Sequence, residues 1–428
     1  RFAKENRWGT FPSVSAAWRF SSENFMQPYS SWLSDAKLRI SYGHIGNENI
    51  GGGAYLSTYG TSIYDRYVLG NPSTAVIGAG RQLVGNKNLQ WETSKQFDIG
   101  LDVNLFNGKI EVAVDYFNKR IENMLMMVPL NTTLGFPNSP YTNAGSMENK
   151  GWELSISHYQ REGQFQYSIS GNVSAYRNKV LSIGNGDAIY GSTYLTDFHL
   201  TKTEVGLPVG YFYGYVTNGI FQNSQQVEDG PQRYVSTPGD VRYKDLVADD
   251  IINEEDRTII GNPWPDFVYG ITFNCSYKNF DFSTFLQGSQ GNDVLNIKMY
   301  DIESGNGYLN APKGFLERAW NGEGSTDRFH KISQNQGLNN LISDYFIEDG
   351  SYLRIKNLQI GYDLKGELPN IRGINQLRLY ISIQNLLTLT RYSGLDPEIG
   401  STDPKLTGID QGFYPQSRIY TIGLNIKL

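Results

Sequence analysis

The chain has 428 residues, 39% hydrophobic and 13% aromatic, with a formal net charge of -6. Its mean hydropathy is -0.43, and no run approaches the roughly 18 apolar residues of a membrane helix, which excludes helical spans but not a barrel, whose lipid- and lumen-facing residues alternate. The acidic balance argues against nucleic acid as partner, the single Cys275 excludes an internal disulfide framework, and the start Arg1-Phe2-Ala3-Lys4, lacking initiator Met and signal peptide, reads as that of a fragment.

Ser13 to Phe20 is predicted as a short strand, and Lys37 to Gly43 as a second, with Leu38, Ile40 and Tyr42 in phase. A Gly/Tyr/Ser-rich segment, 46–92, follows. In the clearest hairpin, Phe97, Ile99, Leu101, Val103 and Leu105 form one face and Asp98, Gly100, Asp102 and Asn104 the other. Asn107-Gly108 supplies the positive-φ pair of a type I′ turn, and Ile110, Val112, Val114 and Tyr116 return. Aspartates facing inward on one strand suit a water-filled lumen better than a dry core. Further hairpins run from Trp152 through 161–164 to Val173, from Phe267 through Lys278-Asn279 to Thr284, and from Leu353 through a loop around Pro369 to Ile383. Cys275, in phase with Phe273 and Tyr277, reads as a small strand residue. Tyr420, Ile422, Leu424, Ile426 and Leu428 alternate with polar residues to the last position, as a barrel-closing strand would.

Short turns close each hairpin, while long segments, about 45–95, 119–150, 177–266, 291–350 and 387–418, separate them. That asymmetry matches short periplasmic turns and long extracellular loops. The fold class expected is all-β: a transmembrane antiparallel β-barrel of about eleven strands in this chain. An odd number of sequential antiparallel strands cannot close on itself, and an open edge in lipid leaves backbone groups unpaired. The chain is therefore expected to be the C-terminal half of a barrel. A soluble β-sandwich with carbohydrate-binding loops is the alternative, and the loop asymmetry counts against it.

Several phrases resemble the SusC/RagA-type family of TonB-dependent outer-membrane transporters. They are Asn6-Arg7-Trp8-Gly9-Thr10-Phe11-Pro12-Ser13-Val14-Ser15, Asn88-Leu89-Gln90-Trp91-Glu92-Thr93, Asn149-Lys150-Gly151-Trp152-Glu153-Leu154 and Tyr352-Leu353-Arg354-Ile355-Lys356-Asn357-Leu358. Asn385-Leu386-Leu387, Tyr392-Ser393-Gly394-Leu395-Asp396-Pro397-Glu398 and Tyr414-Pro415-Gln416-Ser417-Arg418 complete the set, in family order from one end to the other. The resemblance implies a plugged barrel of 22 strands in a Gram-negative outer membrane. It further implies import of oligosaccharides or peptides, energy from the TonB–ExbB–ExbD complex and a SusD-like surface lipoprotein as partner. Family members often end in Phe, where this chain has Leu428.

The acidic stretch from Asp245 to Asp256 resembles a twelve-residue calcium loop, with Asp245, Asp249, Asn253 and Asp256 as oxygen donors. Val247 and Asp250 stand where a ligand and the turn glycine belong, so a solvated acidic loop is the other reading. Tyr211, Phe212, Tyr213 and Tyr215 are candidates to stack on substrate or contact a lid, or to pack within their loop. Trp18, Trp91, Trp152 and Tyr420 fit interfacial girdles, and Asp98, Asp102, Glu111, Asp115, Asn172 and Arg354 are expected to face inward. His44, His158, His199 and His330 are scattered, no H-E-x-x-H, CxxC, P-loop or G-x-S-x-G motif occurs, and no enzymatic activity is expected.

Overall fold

The computed structural model describes residues 1–61, 66–70, 74–127, 140–184, 186–191, 193–194, 198–303, 309–333, 337–364, 367 and 373–428. Eleven antiparallel strands form one sheet in strict chain order. They are β1 (Ser13–Trp18), β2 (Leu33–Asn47), β3 (Glu92–Leu105), β4 (Ile110–Glu122), β5 (Gly145–Gln160), β6 (Phe165–Ile183), β7 (Phe267–Tyr277), β8 (Phe280–Gln290), β9 (Tyr352–Asp363), β10 (Gln376–Thr390) and β11 (Ile419–Lys427). A single such sheet displaces the sandwich alternative, and β1 and β11 are its two edges.

Period-two alternation gives the sheet two chemically opposite faces. One register row on the apolar face crosses seven strands as Trp18, Leu38, Leu101, Val114, Leu154, Val173 and Tyr269. The matching row on the other face runs Lys37, Asp102, Ala113, Ser155, Asn172, Gly270, Gln287, Arg354 and Thr388. Leu38, Ile99, Val114, Ile156, Ile271, Ile381 and Ile422 are all exposed on the apolar face. A soluble domain does not leave so wide an apolar surface open; lipid covers such a face.

Charges on the polar face pair across an intervening strand. Arg39 on β2 donates to Asp102 on β3 at 2.8 Å and reaches Asp115 on β4 at 2.9 Å, passing over Gly100. A Cβ on Gly100 would lie 2.1 Å from Asp115 Oδ1 and 2.7 Å from Arg39 Nη2. Arg378 on β10 binds Asp281 on β8 at 2.5 and 2.7 Å, passing over Gly361 of β9. Each glycine is the space through which a cation bridges strands that do not touch.

The turns follow the expected chemistry. Asn107 and Gly108 both have positive φ, as does Phe106 before them, so the bend occupies Phe106–Lys109. Gly163 and Lys278 also have positive φ in the next two turns, and the loop around Pro369 falls outside the described residues. The strands run further than apolar periodicity predicts, because backbone pairing continues after the side chains turn polar. Four of the long connections therefore shrink, to 48–91, 123–144, 184–266 and 391–418, while the other spans 291–351. Trp18, Trp152 and Tyr420 lie exposed on the apolar face. Trp91 does not: it packs edge-on against Phe11 and at a tilt against Phe2, beside a small core of Phe2, Ile50, Ala54 and Leu89.

The long connections fold into a second body at one end of the sheet. Ile189–Tyr190, Thr201–Thr203, Tyr211–Gly214 and Thr258–Gly261 make a four-stranded sheet. Asp293–Asn296, Ile347–Asp349 and Ile409–Asp410 make another, where Leu295 pairs in parallel with Ile409. Leu200, Phe212, Leu295, Ile297, Tyr300, Ile342, Phe346 and Ile409, drawn from three connections, bury one core.

Candidate functional site

A β-bulge fixes how this loop module meets the sheet. Ile355 pairs with Leu286 and Asn357 with Phe285, leaving Lys356 as the extra residue. Opposite it on β10, Asn385 takes φ +52. The bulge resets the alternation, so Leu353 and Ile355 before it and Leu358 and Ile360 after it share the apolar face. Arg354 remains on the polar face, only 2% exposed. Its Nε donates to Thr388 Oγ1 and its Nη1 to Glu398 Oε2, each at 2.8 Å, while Nη2 binds Asp396. Lys356 Nζ joins Glu398 at 2.7 Å. Asp396 also accepts the backbone N–H groups of Glu398 (2.9 Å) and Gln416 (3.0 Å). Burial pushes the Asp396 carboxyl up, but those two N–H groups and the Arg354 guanidinium outweigh it and hold the group below the usual carboxylate range. The connection 391–418 is thus clasped to the sheet wall by a buried ionic cluster.

A cavity of about 690 Å³ opens between the connections 291–351 and 391–418. Lys298, Glu303, Arg318, Arg328, Glu348 and Asp410 bring both signs of charge to its wall, with Met299, Phe329 and Leu395 beside them. The Phe329 ring lies 4.6 Å from the Arg318 guanidinium and 5.5 Å from that of Arg328. Glu303 is buried, which pushes its carboxyl above the usual range; the Tyr345 hydroxyl at 2.9 Å and Arg318 at 3.8 Å oppose that shift. Glu348 is held by neutral donors, Asn296 Nδ2, Ser393 N and Ser393 Oγ. His330 is buried with its ring edge-on to Phe315, and burial lowers its imidazole below the usual histidine range. The cavity thus offers an ionic lining to a ligand carrying charge. No sequence signal marks it, since its walls come from segments up to about a hundred residues apart.

Three of the four loop aromatics lie on the short strand Tyr211–Gly214, and Tyr215 follows it, bridged to Ser343. Tyr211, Phe212 and Tyr215 are 2%, 0% and 4% exposed, packed as core rather than presented to solvent. Burial pushes the Tyr215 phenol up to about 12. Tyr213 alone keeps open surface, with Arg257 and Lys202 over its ring at 4.4 and 4.9 Å.

In the acidic loop, Asp245, Asp249 and Asp256 converge, with one oxygen of each within 4.8 Å of the others. Backbone donors already occupy these groups: Ala248 N and Asp250 N on Asp245, Ile251 N on Asp249, and Leu246 N and Asn253 N on Asp256. Asn253 turns its oxygen to Glu255 N and its Nδ2 to Asp249, so it acts as a helix cap. Asp250 takes positive φ where the turn glycine was expected, and Ala248 does so as well. Three carboxylates fit a hard cation but supply fewer than the six to eight oxygens calcium takes, leaving water to complete its shell.

A family model described as "TonB dependent receptor-like, beta-barrel" matches residues 1–386. TonB-dependent receptor P3 of Formosa agariphila is 35% identical over 437 residues, covering 100% of this chain and 42% of the relative. TonB-dependent receptor SusC of Bacteroides thetaiotaomicron is 29% identical over 436 residues, covering 100% of this chain and 41% of the relative. The chain thus spans less than half the length of these relatives. The solved structure of the RagAB peptide transporter superposes with a TM-score of 0.81 at 27% identity, covering 100% of this chain and 44% of that one. With a lipid-type apolar face outside, an ionic face inside and long connections gathered at one rim, the chain belongs to the TonB-dependent receptor β-barrel family of the outer membrane, in its SusC/RagA branch, a family of receptors and not of enzymes.

Proposed function

We propose that the protein to which this chain belongs imports a charged oligomeric nutrient, a peptide in preference to a neutral oligosaccharide, across the outer membrane. The observation that carries this is the cavity beside the Arg354 clasp, with charges of both signs and guanidiniums beside its aromatic ring. A site for a neutral sugar offers open ring faces; this one offers ionic partners for peptide termini and side chains. In this reading the TonB–ExbB–ExbD complex supplies the energy, further strands satisfy the open edges of β1 and β11, and a SusD-like lipoprotein closes over the loop module. Labelled peptides and oligosaccharides supplied to cells making the full-length protein test it. Peptide accumulation is expected to fall severalfold in an Arg318→Ala/Arg328→Ala variant; oligosaccharide uptake that falls instead, with peptide uptake unchanged, overturns the substrate assignment.

The acidic loop takes calcium weakly in the same reading, with an apparent Kd of about 0.1–1 mM, the range of extracellular modules. Calcium should slow cleavage after the exposed Glu254 and Glu255 by a glutamate-specific protease in the wild type and not in Asp249→Asn; cleavage unmoved by calcium would remove the metal.

A further inference from the structure

The two guanidiniums of the cavity differ from its other charges in having little to bind. Arg328 is exposed and has no ion-pair or side-chain hydrogen-bond partner among the described residues. Arg318 gives its Nε to Gly314 O at 3.2 Å, and its Nη2 stands 3.8 Å from Glu303, beyond hydrogen-bond reach. Both lie against the Phe329 ring. The remaining charges are already served. Lys298 binds the buried Asp301 at 2.9 Å. Glu348 accepts from Asn296 at 2.7 Å and from Ser393 N and Oγ at 2.8 and 2.7 Å. Asp410, 3% exposed, accepts from the Tyr392 hydroxyl at 2.5 Å, Gly412 N at 2.7 Å and Phe413 N at 3.2 Å. These carboxylates are held by fixed donors, and the two guanidinium forks are left open.

A second cavity, of about 410 Å³, shares Arg328 with the first and is also lined by Thr217, Gly219, Asp344 and Tyr345. Tyr345 ties the two together, since its hydroxyl donates to Glu303 in the wall of the first. Arg328 thus stands where the two spaces meet, with room for a ligand chain on either side of it.

We infer that Arg318 and Arg328 clamp a carboxylate of the imported chain at the point where the two cavities join. The inference rests on the reading of the first cavity as the substrate site, and adds the sign and position of the group recognised there. Planar guanidiniums suit a carboxylate, each offering paired N–H donors to its two oxygens. A terminal carboxylate puts the chain in one cavity only; an acidic side chain lets the chain run through both.

The test is isothermal titration calorimetry of unlabelled, N-acetylated peptides on the full-length protein in detergent. The probes are a neutral peptide with a C-terminal amide, its free acid, and the amide carrying one internal Glu. At least one carboxylate-bearing probe should bind about tenfold or more tighter than the neutral amide. A gap for the free acid alone assigns the chain end, and a gap for the Glu probe assigns the side chain. Arg318→Gln/Arg328→Gln should bring the ratio to near one, while Lys278→Gln, in the turn between β7 and β8, retains it. Heat-modifiable electrophoretic mobility checks folding, and if the double variant does not fold, Arg328→Gln alone should narrow the ratio by about threefold. Equal affinities for all three peptides, or a gap that survives the double variant, overturn the clamp and leave the peptide reading standing. Absence of binding by every peptide removes the peptide reading instead, and oligogalacturonate against its methyl ester then decides the clamp by the same ratio.

Discussion

The sheet and the loop module share a chain and bury opposite things. On the sheet, Ile99, Val114, Ile381 and Ile422 stand exposed on one face, while Arg39, Asp102 and Asp115 pair on the other. In the module, Phe212, Leu295, Ile297 and Phe346 are at most 1% exposed. The module folds by the ordinary removal of apolar surface from water. The sheet gains nothing comparable by turning leucines toward lipid, and is held instead by its backbone ladders and by polar pairs on its wet face. Equivalent substitutions should therefore have unequal effects in the two regions.

The largest inequality is expected for Phe212→Ala, which opens a cavity in a fully buried core at a cost of about 3–5 kcal/mol. Proteolysis should then appear within 184–266 while the heat-modifiable mobility of the barrel persists. Ile99→Ala on the lipid face should cost about 1 kcal/mol or less and leave both readouts unchanged; equal effects would erase the distinction. Arg354→Met comes next, because it strands the buried Asp396 carboxylate, at about 3 kcal/mol. Hydrogen exchange should accelerate across 391–418 and not in β9 itself.

Acid probes the same clasp reversibly. The folded pKa of Asp396 is depressed, so its contribution is fully present above the unfolded value near 3.9 and is lost as pH falls through the lower folded one. Protection of 391–418 should hold from neutral pH to about 4 and decay below that; loss of protection already at pH 6 would assign the clasp to another group. Arg378→Ala should show the smallest effect, about 1 kcal/mol, since Asp281 is a third exposed to the wet face and keeps its hydration. Thermal unfolding of the barrel should shift slightly, with the loop module unaffected.

The strands were legible because lipid on one side and water on the other impose a period of two that survives at low overall hydropathy. Phe97 to Leu105 and Tyr420 to Leu428 show it plainly. Where the period slips, at Lys356, the stretch from Leu353 to Tyr362 still read as one strand, but the bulge that puts Arg354 beneath a loop was not visible. The Tyr392–Glu398 phrase was recognisable as a resemblance, yet its task of clamping Arg354 and Lys356 depends on a contact across more than forty residues. The module was illegible for a related reason. Its strands are two to four residues long, and its core takes Leu200, Leu295, Ile342 and Ile409 from far-separated segments, so no local periodicity announces it. Tyr211 and Tyr213 share one face of their strand by alternation, and only packing decides that one is buried and the other is not.

The bridges over Gly100 and Gly361 bear on how such a sheet finds its register. A slip of one residue turns every leucine toward water and is rejected at once. A slip of two keeps each side chain on its proper face and escapes that test. It cannot escape the bridge: sliding β3 by two would place Asp98 or Asp102 beneath the Arg39–Asp115 span, and sliding β9 would place Gln359 or Asp363 beneath Arg378–Asp281. Only a residue without a side chain passes under, so each pair works as a vernier, comparing three strands at once and admitting a single alignment.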